Sequence, residues 1–235
     1  MPKAGSSMNR RSFLLSSLGT PILAGCMFEK PHVIRFRLGL SAQITGVAHR
    51  AFTIFENRWD RNWIALPETG AWERRRTGDA LTLDLGSNRF LFGIWDILSW
   101  TERNSFEASS QDVFNILPQR RDLGDRIKSG AAFDDLAVST NEVILPKIEW
   151  PQLVFFSDIR DIRTARPVSL EGIEYVLGPG SSIDAVSLCV TQDSISRGIE
   201  RRLPWWDKLG TFTGDVYPGD QNPTYQKLQK SHFLS

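Results

Sequence analysis

His32-Val33-Ile34-Arg35-Phe36-Arg37-Leu38-Gly39-Leu40 decides the fold class. Ile34, Phe36, Leu38 and Leu40 recur at every second position, with Arg35 and Arg37 between them. Successive side chains of an extended chain point to opposite faces, so this period of two predicts a strand with one buried face. Residues 50–57, rich in Phe and Ile, predict a second strand. Residues 41–49, with Gly46 as pivot, predict the longish loop of an antiparallel hairpin between them.

The same signals recur downstream. Ala80-Leu81-Thr82-Leu83-Asp84-Leu85 alternates, Gly86-Ser87-Asn88 is a tight turn, and residues 89–95 form a dense apolar run. Strand, short turn and strand in succession predict a hairpin near the centre of the core. Leu153-Val154-Phe155-Phe156 predicts a short buried strand. Residues 183–191 predict another, with Val186, Leu188 and Val190 on one face, after the break at Gly178-Pro179-Gly180. Residues 58–78, with Trp59, Trp63, Trp72 and Arg74-Arg75-Arg76, read as an excursion over the sheet edge, the arginines solvated. Residues 97–140 are more charged and predict helices on one side of the sheet, including one over 109–117 and a helical turn at 133–138. Ile173, Tyr175 and Val176 are expected on the core. The expected fold is mainly β, a sandwich or a curved antiparallel sheet with a few helical segments; α+β is the alternative.

Working outward to the N-terminus, Lys3, Arg10 and Arg11 precede a diluted apolar run at 13–24, and no acid occurs before Glu29. A basic start, a short apolar segment and small residues at its end make a secretory signal. About 12 apolar residues are too few for a bilayer-spanning helix, which needs about 20. Arg10-Arg11-Ser12-Phe13-Leu14 resembles the twin-arginine class of bacterial signal; Asn9 and Leu15 depart from its usual pattern, and a Sec route is the alternative. Leu23-Ala24-Gly25-Cys26 resembles the lipobox of bacterial lipoproteins. That resemblance implies lipid attachment at Cys26, cleavage before it, and a membrane-anchored protein facing the periplasm. The expected organisation is signal 1–25, lipidated tether 26–31, one β-rich domain 32–206, and a loosely ordered tail 207–235 rich in Gly, Pro, Asp, Gln and Lys.

Composition narrows the function. Three of the 28 basic residues precede Cys26, so 25 remain against 27 acids, near −2. Nucleic-acid binders usually carry a basic excess, so no nucleic-acid partner is expected. If Cys26 carries lipid, Cys189 is unpaired, which suits a chain that folds in a reducing cytoplasm before export. Its apolar surroundings predict a buried, inert thiol.

Catalytic motifs are sparse. The sequence has no G-x-S-x-G elbow. His32, His49 and His232 have no partner acid at a suggestive spacing, and no His/Cys cluster with zinc spacing occurs. Carboxylate pairs stand at Asp122/Asp125, Asp134/Asp135 and Asp158/Asp161, none in a calcium-loop pattern; turns, caps and surface pairs are the plainer reading. No flavin, haem, iron–sulfur or molybdenum ligand set is present, so no cofactor and no metal are expected. The remaining constellation is Arg197 to Trp206. Arg201 and Arg202 beside Trp205 and Trp206 are the residue types that dominate binding hot spots, and one tryptophan is expected in the core while the other is exposed.

Residues 33–55, 80–92, 153–158 and 183–205, the last ending in Arg197-Gly198-Ile199-Glu200-Arg201-Arg202-Leu203-Pro204-Trp205, resemble a proteobacterial family of exported or anchored proteins of unknown function. The resemblance implies an exported globular domain and supplies no catalytic residues. The leading expectation is a lipid-anchored envelope protein acting by binding or structure, with an envelope protein as a candidate partner. The alternatives are an extracytoplasmic hydrolase using carboxylates and a carbohydrate- or peptide-binding module using Trp and Arg.

Overall fold

The pleat of the opening strand runs well past its apolar signature. In the computed structural model, which describes residues 30–61, 72–94, 116–117, 125–126, 129–209, 228 and 230–233, β1 is His32–Ile44 and β2 is Val47–Arg61. They pair antiparallel from His32 opposite Trp59 to Ile44 opposite Val47. The connection is a two-residue turn, Thr45-Gly46, with φ of 51° and 81°. Positive φ at both positions matches the twist of the flanking strands. The expected loop at 41–49 is therefore strand. Ser41 and Gln43 lie on the outer face while Ala42 and Ile44 are buried, and small Ala42 carries too little hydrophobicity to mark the inner one.

The expected excursion at 58–78 is also a ladder at both ends. β2 continues to Arg61 and pairs with β3, Trp72–Thr77. Trp59 and Trp72 are buried in the core. Arg75 is exposed, but the Arg76 guanidinium lies 4.9 Å from the Phe55 ring centroid and its Nε donates to Asn57 Oδ1 at 3.3 Å. Trp63, Arg10, Arg11, Cys26, Asp122, residues 109–115 of the helix expected over 109–117 and most of 207–235 lie outside the described residues.

Among the described residues the strands form two antiparallel sheets and no closed barrel. The first has order β3-β2-β1-β9-β6, where β9 is Ser182–Val190 and β6 is Glu142–Ile144. The second has order β4-β5-β7-β8: Leu81–Asp84, Phe90–Ile94, Gln152–Phe156 and Ala165–Val168. Its first hairpin is the expected one. Gly86, Ser87 and Asn88 all have positive φ, and Leu85 N–H donates to the Arg89 carbonyl at 2.9 Å. Among the described residues two helices pack on the core between the sheets: α1, Ala131–Ala137, inserts Phe133 and Leu136, and α2, Ile173–Leu177, inserts Ile173 and Leu177. Ile173 and Leu177 are one helical turn apart and share a face. Tyr175 points away and is 95% exposed, contrary to the expectation that it packs inward.

Two cores result. Phe36 and Leu38 of β1, Phe55 and Trp59 of β2, and Leu81, Leu91 and Phe155 of the second sheet share one cluster, which joins the two sheets. Phe92, Val154 and Phe156, on the opposite pleats of β5 and β7, belong to another, with Ile199, Leu203, Trp205 and Leu209. Strands buried on both faces cannot show alternation, and this is why 90–94 and 153–156 read as unbroken apolar runs. Leu228 and Phe233 complete this second core, and Ala80 N–H donates to the Phe233 carbonyl at 2.8 Å. These residues of the expected loose tail are thus core residues. Their polar neighbours had masked them in the composition.

Phe233 is 1% exposed and sits edge-on to Phe92 and Trp205 at 5.6 and 5.8 Å between ring centroids. Removing such a ring leaves a cavity, so Phe233→Ala is expected to cost about 3–5 kcal/mol in urea unfolding, against under about 0.5 kcal/mol for Tyr175→Ala.

Candidate functional site

The Arg/Trp segment is placed by a strap that leaves the end of β9. Thr191 N–H donates to the Arg35 carbonyl at 3.0 Å, and Asp193 pairs with Arg37 on the outer face of the first sheet. Ser196 then binds Ile54 twice: its N–H donates to the Ile54 carbonyl, and its Oγ accepts from Ile54 N–H, each at 2.9 Å. Asp79 closes the strap. Its N–H donates to the Ser196 carbonyl at 3.2 Å, and its Oδ2 accepts Ile199 N–H at 3.0 Å. Thr53 Oγ1 donates to the Asp79 carbonyl at 2.8 Å. Burial pushes the Asp79 carboxyl up. The Ile199 N–H and the charges of Arg202 and Arg197 oppose that rise, so both guanidiniums bear on one carboxylate.

Beyond this clamp the chain makes two tight helical turns, Ile199–Arg201 and Trp206–Lys208, over the outer face of the second sheet. Ile199, Leu203, Trp205 and Leu209 point inward. Trp205 is 4% exposed, stacks on Phe156 at 5.4 Å between centroids, and donates from Nε1 to the Ile159 carbonyl at 2.7 Å. It is a core residue and leaves the candidate surface. Arg201 and Arg202 are exposed, as are Arg197, Pro204, Lys208, Glu200 and Asp207. Trp206 is half-buried, with Lys230 Nζ 5.5 Å from its ring centroid. The structure therefore leaves Arg201 and Arg202 exposed on the same strap as the half-buried Trp206, places Lys230 against Trp206, and sets Arg197 with Arg202 near Asp79, with Lys208 exposed at the end of the strap. Lys230 lies too far along the chain for sequence spacing to find.

The described carboxylate pairs, Asp134/Asp135 and Asp158/Asp161, do not converge on one site. Residues 158–163 repeat Asp-Ile-Arg, with Ile159 and Ile162 in the second core. Asp158 accepts from Arg160 Nε and Nη2 at 2.9 and 2.7 Å, and Asp161 from Arg163 Nε and Nη2 at 2.9 and 2.8 Å. The hydrogen bonds from Arg160 hold the Asp158 carboxyl at about 2, and Arg163 lowers Asp161 in the same way. Asp134 is exposed on α1, 3.9 Å from His32 Nδ1, and Asp135 pairs with Arg126. His32 stacks on Phe133 at 4.6 Å and meets Trp72 edge-on at 5.2 Å, so it serves as an aromatic packing group. His49 lies half-buried on β2, and the side chain of His232 lies outside the described residues. Among the described residues no group of three or more His, Cys, Asp or Glu could hold a metal ion. A small cleft of about 190 Å³ opens over β1, walled by Val33, Ala137 and Val190; its ionisable residues, Arg35 and Glu56, already form an ion pair at 3.0 Å.

Cys189 corrects another expectation. It lies on β9 opposite Arg37 on one side and Glu142 on the other, on the outer pleat of the first sheet, and is half-buried. Leu188 and Val190 take the inner pleat, so the apolar run around Cys189 belongs to its neighbours. Partial burial raises its thiol pKa.

No protein-family model matches the chain, and neither does any curated protein or solved structure.

Trp205→Phe keeps the stack but leaves the Ile159 carbonyl buried without its donor. It is expected to cost about 1–3 kcal/mol in urea unfolding, and Trp206→Ala less. The two perturbed aspartates act in opposite senses. Asp79, raised in the fold, contributes most at acid pH and loses that contribution as pH rises through its folded value. Asp158, lowered to about 2 from 3.8, contributes above the ordinary carboxylate range and loses it as pH falls. Urea midpoints followed from about pH 3 to pH 7 are therefore expected to show Asp79→Asn gaining on the parent as pH rises and Asp158→Asn falling behind it.

Proposed function

We propose that this chain is a lipid-anchored protein of the bacterial cell envelope, exported behind a twin-arginine-type signal, held at the membrane through Cys26, and acting by binding. It groups with the exported proteobacterial proteins that its sequence blocks resemble. The observation that carries this reading is the boundary of the fold. One compact unit begins at Pro31, and β1 begins at His32, just after Leu23-Ala24-Gly25-Cys26. A lipoprotein needs this order: signal, acylated cysteine, short link, domain. Among the described residues no helix is long and apolar enough to cross a membrane, and the proposed lipid would supply the attachment. Two or three acyl chains hold a protein firmly, whereas one holds it only marginally.

Binding is favoured over carboxylate hydrolysis by what the acids do. Asp158 and Asp161 are each taken up by their own arginine, and Asp135 by Arg126, while Arg201 and Arg202 stay exposed beside Trp206.

Membrane fractionation with metabolic labelling by a radioactive fatty acid tests the anchor. The parent is expected to carry label and to sediment with membranes. Cys26→Ser should lose the label and the slower-migrating precursor should accumulate; retained label would refute the assignment. Replacing Arg10 and Arg11 together by Lys is expected to stop export through the twin-arginine route, and unchanged export would place the chain on the Sec route instead.

A further inference from the structure

We propose that the surface carried by residues 197–208, with Lys230, is a second membrane contact that lies against anionic lipid headgroups. This rests on the lipid-anchor reading, which puts the domain beside a bilayer.

Charge segregation is the first support. The chain after the signal is near −2, yet this surface carries Arg197, Arg201, Arg202, Lys208 and Lys230 against Glu200 and Asp207. Elsewhere several arginines are matched by an acid two residues away, Arg58 with Asp60, Arg75 with Glu73, Arg160 with Asp158 and Arg163 with Asp161, while the exposed Arg50, Arg89 and Arg166 stand singly. Among the described residues, Arg197, Arg201 and Arg202 make no such ion pair. Asp79, which feels both Arg197 and Arg202, is buried and spends its Oδ2 on Ile199 N–H. The positive field of this surface is therefore directed outward.

The platform is also rigid. Ile199, Leu203, Trp205 and Leu209 fix its underside in the second core, so binding does not have to order the segment first. Trp206 completes the chemistry. It is half-buried, flanked by exposed Pro204, and lies under the Lys230 ammonium. An indole with one apolar side and a polar edge settles at the headgroup level of a bilayer, and arginine and lysine beside it meet lipid phosphates.

A bilayer is preferred over a soluble polyanion because of the tether. Residues 26–31 span at most about 20 Å fully extended, so a lipid on Cys26 holds the domain at the membrane surface. A basic patch adds a second attachment that is weak alone and effective once the chain is held close.

The test uses the full chain carrying Cys26→Ser, so that no lipid contributes, and compares it with the same chain carrying Arg197→Glu, Arg201→Glu and Arg202→Glu. Co-sedimentation is measured with vesicles of phosphatidylglycerol and phosphatidylethanolamine, and with vesicles of phosphatidylcholine alone. The uncleaved signal is common to both proteins, so the difference between them reports the patch. At low salt the triple variant is expected to bind anionic vesicles at least about tenfold more weakly, with the gap closing at high salt and absent on phosphatidylcholine. Arg50→Glu makes one such charge reversal on β2 of the first sheet; it and each patch arginine reversed singly are compared, and Arg50→Glu is expected to leave binding unchanged. Equal binding by the triple variant and its parent, with both melting alike, overturns the proposal. So does inorganic polyphosphate competing the parent off the vesicles as well as anionic lipid does, since that assigns the patch to a soluble polyanion. A chain with native Cys26 that fails fatty-acid labelling, while this vesicle difference persists, removes the anchor and leaves the patch standing.

Discussion

Phe92, Val154 and Phe156 must be kept from water, and most of the molecule's organisation follows from that requirement. They project from the second sheet on the side away from the first, so the β1–β2 hairpin cannot cover them. Exposing three aromatic and branched side chains side by side would forfeit about 25 cal/mol for each Å² of apolar surface. The chain meets the need by leaving β9, crossing to β2, and laying Ile199, Leu203, Trp205 and Leu209 over the sheet. The crossing segment satisfies its own backbone groups on the way, through Arg35, Ile54 and Asp79. Phe233 closes the remaining gap.

The same requirement divides the labour within the Arg/Trp segment. Trp205 is taken into the core and its indole N–H finds the Ile159 carbonyl, so it has nothing left to offer a partner. Arg201 and Arg202, two short turns of chain that cannot face inward without burying charge, stay in water. Trp206 follows Trp205 into a tight turn and is left at the rim, partly packed on the second core with Lys230 Nζ 5.5 Å from its ring centroid. The position of the surface is thus a by-product of core closure, and its chemistry comes from the residues that closure leaves outside.

Where a segment buried one face, its sequence was legible. β1, the Leu81–Ile94 hairpin and β9 all announced themselves through alternation or through a glycine-rich turn. Legibility failed where a small or polar residue stood on an inner pleat, or where a few apolar residues were diluted by polar ones. Ala42 hid the continuation of β1, and Leu228 and Phe233 were lost among Gly, Asp and Gln. Trp59 and Trp72 looked like part of a surface excursion because charged residues crowd them, Arg58, Asp60 and Arg61 in one case and Glu73 to Arg76 in the other. The candidate surface was legible as a composition, Arg201, Arg202 and a tryptophan. Which tryptophan faces out depended on a turn that side-chain pattern does not encode, and Lys230 joins the surface only through the tertiary docking of Phe233.

Two ways of carrying arginine coexist in this chain, and the contrast bears on function. In 158–163 each arginine folds back on the aspartate two residues before it, in a geometry that the backbone N–H groups of Arg160 and Arg163 reinforce. Such a pair contributes little to stability at an exposed site, but it cancels its own field. In 197–208 the acids are placed differently. Asp79 turns its carboxylate onto a backbone N–H, and Glu200 and Asp207 make no ion pair with the arginines. Among the described residues Arg197, Arg201 and Arg202 make no ion pair, on a segment whose underside is seated in the second core by Ile199, Leu203, Trp205 and Leu209. Under the proposed acylation of Cys26, that arrangement would orient the domain, because the basic face and the lipid would hold it at two points.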